Sequence, residues 1–208
     1  MIYVALSVIA AYLIGAFPTA YVAGKLLKGI DIRKYGSGNV GATNVFRTLG
    51  KVPGFLVFAI DFLKGTAAVT LIPLGLQKIS PDIVGTYGFI YIMLGAAAIS
   101  GHIWPVFLAF KGGKGVATTA GVMVGLSPGI FLVCFAVWII VFAIWKYVSL
   151  ASIIAAVALP VFAALAGKSL DFILFCAVLC MVGIYAHRDN IRRLIQGTEG
   201  KIVKVKKS

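Results

Sequence analysis

Long apolar runs dominate the chain and restrict it to a membrane environment. They fall at residues 2–24, 53–76, 83–110, 115–127, 129–146, 148–167 and 170–187. A helix needs about 20 apolar residues to cross the hydrocarbon core of a bilayer. Most of the runs approach that length, and only 12% of the residues are charged. The sequence therefore predicts an all-α polytopic membrane protein with seven transmembrane helices, forming a single domain over residues 1–208.

The fourth run, residues 115–127, is shorter than the others. As a helix it would reach only about 20 Å, against a hydrocarbon core of roughly 30 Å. We therefore expect this helix to be short, tilted or partly sunk into the membrane from one face.

Basic residues alternate from one connection to the next. They collect in residues 25–52, in residues 111–114, at Lys146 and in a tail from about residue 188, whereas the intervening connections carry a single lysine each at most. Connections rich in lysine and arginine stay in the cytoplasm. The pattern predicts an N-terminus outside and a basic C-terminal tail inside, and we expect this tail to meet anionic lipid headgroups.

Several classes of function are disfavoured. The positive-inside pattern explains the net charge of +13 without nucleic acid. The three cysteines lie within apolar runs and show no metal-binding spacing, so no metal or other cofactor is expected. The Lys111–Gly115 segment is no nucleotide-binding loop, because Lys114 is followed by glycine and Leu108 stands where the first glycine is needed.

The first polar segment, Gly36–Asn44, is rich in glycine and in side chains that donate hydrogen bonds. Such a loop can turn sharply and present N–H groups to an anion, and a guanidinium one helical turn later can bind phosphate oxygens. A flexible polar connection is the alternative. The candidate phosphate-binding residues are Gly36, Ser37, Gly38, Asn39, Gly41, Thr43, Asn44 and Arg47.

The second polar segment, residues 111–115, leads directly into the short fourth run. A glycine turn and two lysines at a helix N-terminus favour an anion. Two such sites suggest two phosphorylated substrates, although interfacial lysines that extend to the membrane surface would look similar. The candidates here are Lys111, Gly112, Gly113, Lys114 and Gly115.

The third polar segment begins at His187, directly after the last apolar run. If the helix continues, His187 and Asn190 share one face. The imidazole could relay a proton, and the amide could orient a hydroxyl or a carbonyl.

Asp61, Lys64 and His102 are ionisable residues that lie well inside apolar runs. Each buried charge costs roughly 2.5 to 3.5 kcal/mol on insertion scales. Asp61 and Lys64 are three residues apart and therefore form either an ion pair or part of a polar cavity. We include Lys64 and His102 among the candidate substrate-binding residues, although a packing role for His102 is the simpler alternative.

The three polar segments together resemble the PlsY family of bacterial glycerol-3-phosphate acyltransferases. The matching motifs are Gly36–Asn44, Gly101–Thr118 and His187–Glu199, in the family's order. The resemblance implies an enzyme of the bacterial inner membrane that begins phospholipid synthesis at the cytoplasmic face. Its substrates would be a long-chain acyl phosphate, reached from membrane lipid, and sn-glycerol 3-phosphate. The products would be 1-acylglycerol 3-phosphate and phosphate.

The resemblance also implies catalytic roles for Ser37, Arg47, Lys114, His187 and Asn190. Arg47 and Lys114 would bind phosphate, and Ser37 and Asn190 would lie near the reacting carbonyl. Either His187 or a substrate phosphate oxygen would take the proton of the acceptor hydroxyl.

The alternative from another functional class is a transporter of phosphorylated solutes, since broken helices and intramembrane charges also build translocation sites. Transport would require access from both sides of the membrane. The polar segments predicted here share one side.

Overall fold

The computed structural model describes residues 2–81 and 89–201, and the regular structure in these residues is entirely helical. The chain divides into two compact units, Met1–Ser127 and Pro128–Ser208. The single domain predicted from the sequence stays a prediction. In the first unit the helices are α1 Ile2–Ala16, α2 Thr19–Lys28, α3 Ala42–Thr48, α4 Lys51–Ile79, α5 Phe89–Ile103 and α6 Val116–Leu126, with 3-10 turns over Ile32–Lys34 and Val106–Leu108.

The second unit contains four helices among its described residues. They are α7 Pro128–Trp145, α8 Val148–Leu165, α9 Leu170–Ala186 and α10 Arg188–Ile195. Helix α8 packs against both α7 and α9, and the short α10 also contacts α8.

Five helical segments of the described residues are long and apolar enough to cross a membrane, or six if the bent pair α9 and α10 counts as one span. Helix α6 is apolar but has only 11 residues, which corresponds to about 16 Å. The prediction of an all-helical, multi-pass membrane protein is therefore confirmed. Each predicted run contains at least one helix, although residues 83–88 of the third lie outside the described residues.

The first apolar run is broken near its middle. Helix α1 ends at Ala16 and α2 begins at Thr19, with Phe17 and Pro18 between them. Proline lacks an N–H and disfavours the helical conformation of the residue before it, so the helix ends there. A break of this kind leaves polar backbone groups that must be satisfied inside the membrane.

Helices α4 and α6 approach each other closely because glycines face each other across their contact. A Cβ at Gly65 would collide with Thr118 O, and one at Gly121 would collide with Phe62 O. The Thr66 hydroxyl donates to Gly121 O at 3.0 Å. Small residues and hydrogen bonds of this kind drive helix association in lipid, where the hydrophobic effect is weak.

The polar segment between α2 and α4 folds over a small hydrophobic core of its own. Ile32 and Val45 are fully buried there. The core also includes Ala20, Val40, Val57 and Leu108. Because Val40 belongs to the first polar segment and Leu108 directly precedes the second, this core holds the two segments side by side.

We predict that Gly65→Ala destabilises the protein, whereas Gly75→Ala in the same helix does not. The new methyl group at position 65 meets the α6 backbone, and overpacking of this kind costs about 1–3 kcal/mol. At Gly75 no described atom outside the helix lies within 4 Å of the added Cβ. Thermal unfolding in detergent measures both. Equal midpoints for the two variants would contradict the tight α4–α6 contact.

Candidate functional site

The first polar segment is held in place by the side chain of Asn44. Its Oδ1 accepts from the Ser37 N–H at 2.9 Å, and its Nδ2 donates to Tyr35 O at 3.0 Å and to Ile32 O at 3.2 Å. Only 1% of Asn44 is exposed. These contacts support a role for Asn44 in shaping the loop, and direct contact with phosphate stays a prediction. The segment is an ordered loop, which argues against the flexible connection.

The loop requires a glycine at position 36, beside Asn44. The φ of Gly36 is +60°, in the left-handed region, and a Cβ would collide with Asn44 Oδ1. The Ser37 N–H already donates to Asn44, and the Gly38 N–H donates to Tyr35 O at 3.0 Å. The loop therefore uses the Ser37 N–H to hold its own shape, and anion binding by the N–H groups of the loop stays a prediction.

Ahead of the loop, Asp31 begins the 3-10 turn. Its Oδ1 accepts from the Arg33 N–H at 3.1 Å, and its Oδ2 pairs with the Arg33 guanidinium at 2.8 Å. The hydrogen bonds from the Arg33 side chain hold the pKa of Asp31 at about 2. Lys28 donates to Thr48 O at 3.0 Å and so ties the end of α2 to the end of α3.

Arg47 lies on helix α3, as the sequence predicted for a chain that has become helical by that point. Its side chain is exposed, as is that of Ser37, while Asn39, Gly41 and Thr43 are half-buried. Contact of these side chains with an anion stays a prediction.

In the second polar segment, two backbone N–H groups are also used internally. Gly112 donates to Ile103 O at 3.0 Å, and Gly113 donates to His102 O at 3.1 Å. These two N–H groups therefore hold the shape of the loop, and substrate binding by Gly112 and Gly113 stays a prediction. Gly113 is needed for another reason, because a Cβ there would collide with Nε2 of the His102 ring.

The lysines of the second segment differ in exposure. Lys111 is exposed, whereas Lys114 is half-buried, directly ahead of the buried Gly115. Gly115 has a φ of +79° and caps helix α6, which begins at Val116. The predicted helix start behind the glycine turn is confirmed, and Lys114 lies next to the positive end of that helix.

A buried polar cluster lies beneath the two segments. Lys64 Nζ is 2.8 Å from Asp61 Oδ1, and it also donates to Phe17 O at 3.2 Å. The Thr19 hydroxyl donates to Asp61 Oδ1 at 2.9 Å, and His102 Nδ1 lies 3.7 Å from the same oxygen. The predicted Asp61–Lys64 ion pair is confirmed. The contacts support an internal role for Lys64 and His102, whose direct binding of substrate stays a prediction.

A small pocket opens beside this cluster, with about 190 Å³ of empty space that is continuous with the outside. It is lined by polar groups of the cluster, by Val40 of the first polar segment and by residues that precede the second. Among them are Thr19, Asp61, Lys64, His102, Val40 and Leu108.

In the second unit the last span does not continue straight into the tail. Helices α9 and α10 are bent by 59° relative to each other. His187 lies at the C-terminal end of helix α9, where its backbone N–H donates to Gly183 O at 3.1 Å and its Nδ1 lies 2.8 Å from the same oxygen. The prediction of one continuous helical face for His187 and Asn190 is therefore wrong, although both side chains are buried.

Glu199 is the centre of the second unit's polar contacts. It accepts from Asn190 Nδ2 at 2.6 Å, from Arg193 Nε at 2.7 Å and from the Ser149 hydroxyl at 2.8 Å. Burial disfavours its ionised form, but the hydrogen bonds from Asn190, Arg193 and Ser149 outweigh burial and keep its pKa below the ordinary value. Arg193 belongs to the basic tail, and the bonds from Ser149 and Asn190 were not predicted.

Thr19 was likewise not predicted from the sequence. Threonine beside a proline in an apolar run signals a break, but nothing in the sequence pairs it with Asp61. Likewise, nothing in the sequence links Ser149 to a residue 50 positions later.

The comparisons with known proteins agree with one another. The family model described as "Glycerol-3-phosphate acyltransferase" matches residues 5–197. A glycerol-3-phosphate acyltransferase of Desulforamulus reducens is 44% identical over 94% of this chain and 93% of its own length. The glycerol-3-phosphate acyltransferase 2 of Moorella thermoacetica is 44% identical over 95% of this chain and 96% of its own.

Solved structures are similar as well. The chain resembles the crystal structure of PlsY, an integral membrane glycerol 3-phosphate acyltransferase, in its glycerol 3-phosphate form, with a TM-score of 0.86 and 43% identity over 96% of both chains. The lysophosphatidic acid form of PlsY gives a TM-score of 0.83 at 42% identity, over 96% of this chain and 95% of that one.

We predict that Glu199 makes the stability of the protein depend on acidic pH. Because its folded-state pKa lies below the ordinary 4.5, the carboxylate stabilises the fold fully above that value, and the contribution is lost as the pH falls through the lower folded-state pKa. The unfolding midpoint of the unaltered protein should therefore fall more below pH 4.5 than that of Glu199→Gln, by about 3 °C for a contribution near 1 kcal/mol. Parallel pH profiles would contradict this role.

Proposed function

The chain belongs to the glycerol-3-phosphate acyltransferase family, and from that premise we propose that it transfers a fatty acyl group from acyl phosphate to the 1-hydroxyl of sn-glycerol 3-phosphate. The products are 1-acylglycerol 3-phosphate, which is lysophosphatidic acid, and inorganic phosphate. This reaction is the first step of phospholipid synthesis. Each substrate carries a phosphate group, so the enzyme needs places for two anions.

The observation that carries the proposal is the pairing of two basic polar segments over one core in the first unit. Val40 and Leu108 belong to that core, and the segments that they anchor carry Arg47 and Lys114. Arginine can bind phosphate oxygens bidentately, and lysine binds them as a point charge. The match to a PlsY structure in its glycerol 3-phosphate form supports the choice of acceptor.

An acyl phosphate donor is supported by the motifs of the sequence. Acyl-CoA-dependent acyltransferases of an unrelated kind use a histidine and an aspartate five positions apart. Here Phe107 stands five residues after His102, and Arg192 stands five after His187. The three polar segments instead resemble the PlsY pattern, whose donor is acyl phosphate.

The chemistry demands little of the protein beyond positioning and charge stabilisation. The acceptor oxygen attacks the carbonyl carbon of the mixed anhydride and forms the ester bond, while the bond between that carbon and the phosphate oxygen breaks. The electron pair of the broken bond leaves with phosphate. Arg47 and Lys114 hold the two anions close together, and Ser37 donates to the developing oxyanion.

Two proton acceptors remain open for the acceptor hydroxyl: a substrate phosphate oxygen and His187. A carbonyl oxygen can only accept, so the contact with Gly183 O means that His187 Nδ1 carries a hydrogen. In the neutral ring Nε2 is then the nitrogen that accepts a proton. Asn190 donates one Nδ2 hydrogen to Glu199, which sets the orientation of the amide that we propose orients a hydroxyl or carbonyl.

We also propose the membrane arrangement that the basic residues favour. Seven spans, one of them the short α6, put the N-terminus outside and the C-terminal tail in the cytoplasm. The protein then lies in the bacterial inner membrane with its polar segments at the cytoplasmic face. Glycerol 3-phosphate arrives from the cytoplasm, and the acyl chain of the donor arrives from the surrounding lipid.

We predict that the purified protein in detergent releases phosphate from palmitoyl phosphate only when sn-glycerol 3-phosphate is present. Lysophosphatidic acid should form in equal amount, and palmitoyl-CoA should give no product. Mass spectrometry of the lipid and a phosphate assay measure the two products. A folded preparation that forms no lysophosphatidic acid would contradict the proposal and favour transport, whereas equal turnover of the CoA ester would contradict the donor.

We further predict that Arg47→Ala and Lys114→Ala each lower kcat/KM by about 100-fold, which corresponds to about 2.7 kcal/mol of lost transition-state stabilisation. The matched control is Lys51→Gln, which removes a nearby exposed charge at the start of α4 and should change kcat/KM by less than about 3-fold. Unaltered thermal midpoints would show that the variants fold. Ordinary turnover by folded Arg47→Ala would contradict its role.

A further inference from the structure

The buried cluster around Asp61 takes no direct part in the proposed chemistry, yet it is maintained inside an apolar bundle. Thr19, Asp61, Lys64 and His102 are each 8% exposed or less. Ionisable side chains in a membrane bundle are costly and mark functional positions by default. Asp61 contacts three of these groups, because Oδ1 faces the Thr19 hydroxyl, Lys64 Nζ and His102 Nδ1.

His102 connects this cluster to the second polar segment. The Nδ1 side of its ring faces Asp61 Oδ1 at 3.7 Å. The Nε2 side lies against Gly113, where a Cβ would collide with it. The backbone O of His102 also accepts the Gly113 N–H at 3.1 Å. The imidazole is therefore enclosed between the buried carboxylate and the loop.

The Lys111–Gly115 loop packs against His102 and carries Lys114, the basic residue that we assign to phosphate binding. Lys114 follows Gly113 directly, and the Gly112 N–H is held by Ile103 O at 3.0 Å. A shift of the ring would therefore move the backbone on the N-terminal side of Lys114. Displacements of about 1 Å at a binding group are enough to change catalysis by as much as 10²-fold.

We propose that Asp61 is a positioning residue for the glycerol 3-phosphate site, acting through the His102 ring on the Lys111–Gly115 loop and hence on Lys114. The inference rests on the proposed function and adds a residue to it. Lys64 contributes indirectly, because it neutralises Asp61 and holds the α1–α2 break through Phe17 O.

The test separates this role from folding. Asp61→Asn alone leaves the Lys64 charge buried without its partner and should lower the thermal midpoint. Asp61→Asn/Lys64→Gln removes both charges and keeps amide groups that can bond to Thr19 and to Phe17 O, so its midpoint should recover. His102→Asn keeps a polar group near Asp61 but removes the ring edge against Gly113, while the ion pair stays intact.

Two quantities are measured for each folded variant. Hydrogen exchange at Gly112 and Gly113 reports the loop directly and should quicken by about 10-fold in the double variant and in His102→Asn. The KM for glycerol 3-phosphate should rise by about 10-fold, with kcat changed by less than about 3-fold, because a displaced Lys114 weakens substrate binding. The control Thr66→Val, which removes the hydrogen bond to Gly121 O in the same bundle, should leave the exchange and the KM unchanged.

Faster exchange and a raised KM in folded variants would support the proposal. Unaltered exchange or an unaltered KM in both the double variant and His102→Asn would overturn it and leave the cluster a purely folding role. If the unaltered protein forms no lysophosphatidic acid, the proposed function fails. Hydrogen exchange at Gly112 and Gly113 would still show whether Asp61 holds the Lys111–Gly115 loop in place.

Discussion

The ion pair between Asp61 and Lys64 is the interaction on which the first unit depends. Pro18 breaks the first apolar run, and the break leaves backbone groups in a region without water. Lys64 supplies a donor for Phe17 O, and Asp61 accepts from the Thr19 hydroxyl just beyond the break. The two charges neutralise each other at 2.8 Å. The fourth helix thus places a cation and an anion beside the break, where they supplement backbone hydrogen bonds such as that from the Thr19 N–H to Phe17 O at 3.0 Å.

The same physical rule organises the polar segments at the ends of the helices. In each segment, one buried side chain with several hydrogen-bonding atoms forms hydrogen bonds to several polar groups of the surrounding chain. Asn44 satisfies two carbonyl oxygens and one N–H around Gly36. Glu199 joins the start of α8 to α10 by accepting from Ser149, Asn190 and Arg193. Each unit thus has its own centre of polar contacts, and each centre makes a loop rigid without a large core.

This internal use of hydrogen bonds changes how an anion can be bound. The N–H groups of Ser37, Gly112 and Gly113 all have backbone or side-chain acceptors within the protein. We therefore propose that side chains such as Arg47 and Lys114 bind phosphate, and the loops that carry them are held by these internal hydrogen bonds. Glycine at position 113 allows close packing against His102.

The sequence by itself determined the fold class, the approximate limits of the helices and the short α6, because these follow from the length of apolar runs and from proline and glycine. It also identified the three polar segments, since polar residues are conspicuous in such a chain. Only the tertiary structure decided which groups are used internally: that Asn44 holds a loop, that α9 and α10 bend at His187, and that Thr19 and His102 meet Asp61. Thr19 and Asp61 are 42 positions apart, and even the nearer partners of Asn44 are 7 to 12 positions away. A donor or acceptor carries no mark in the sequence of the partner that it finds in space.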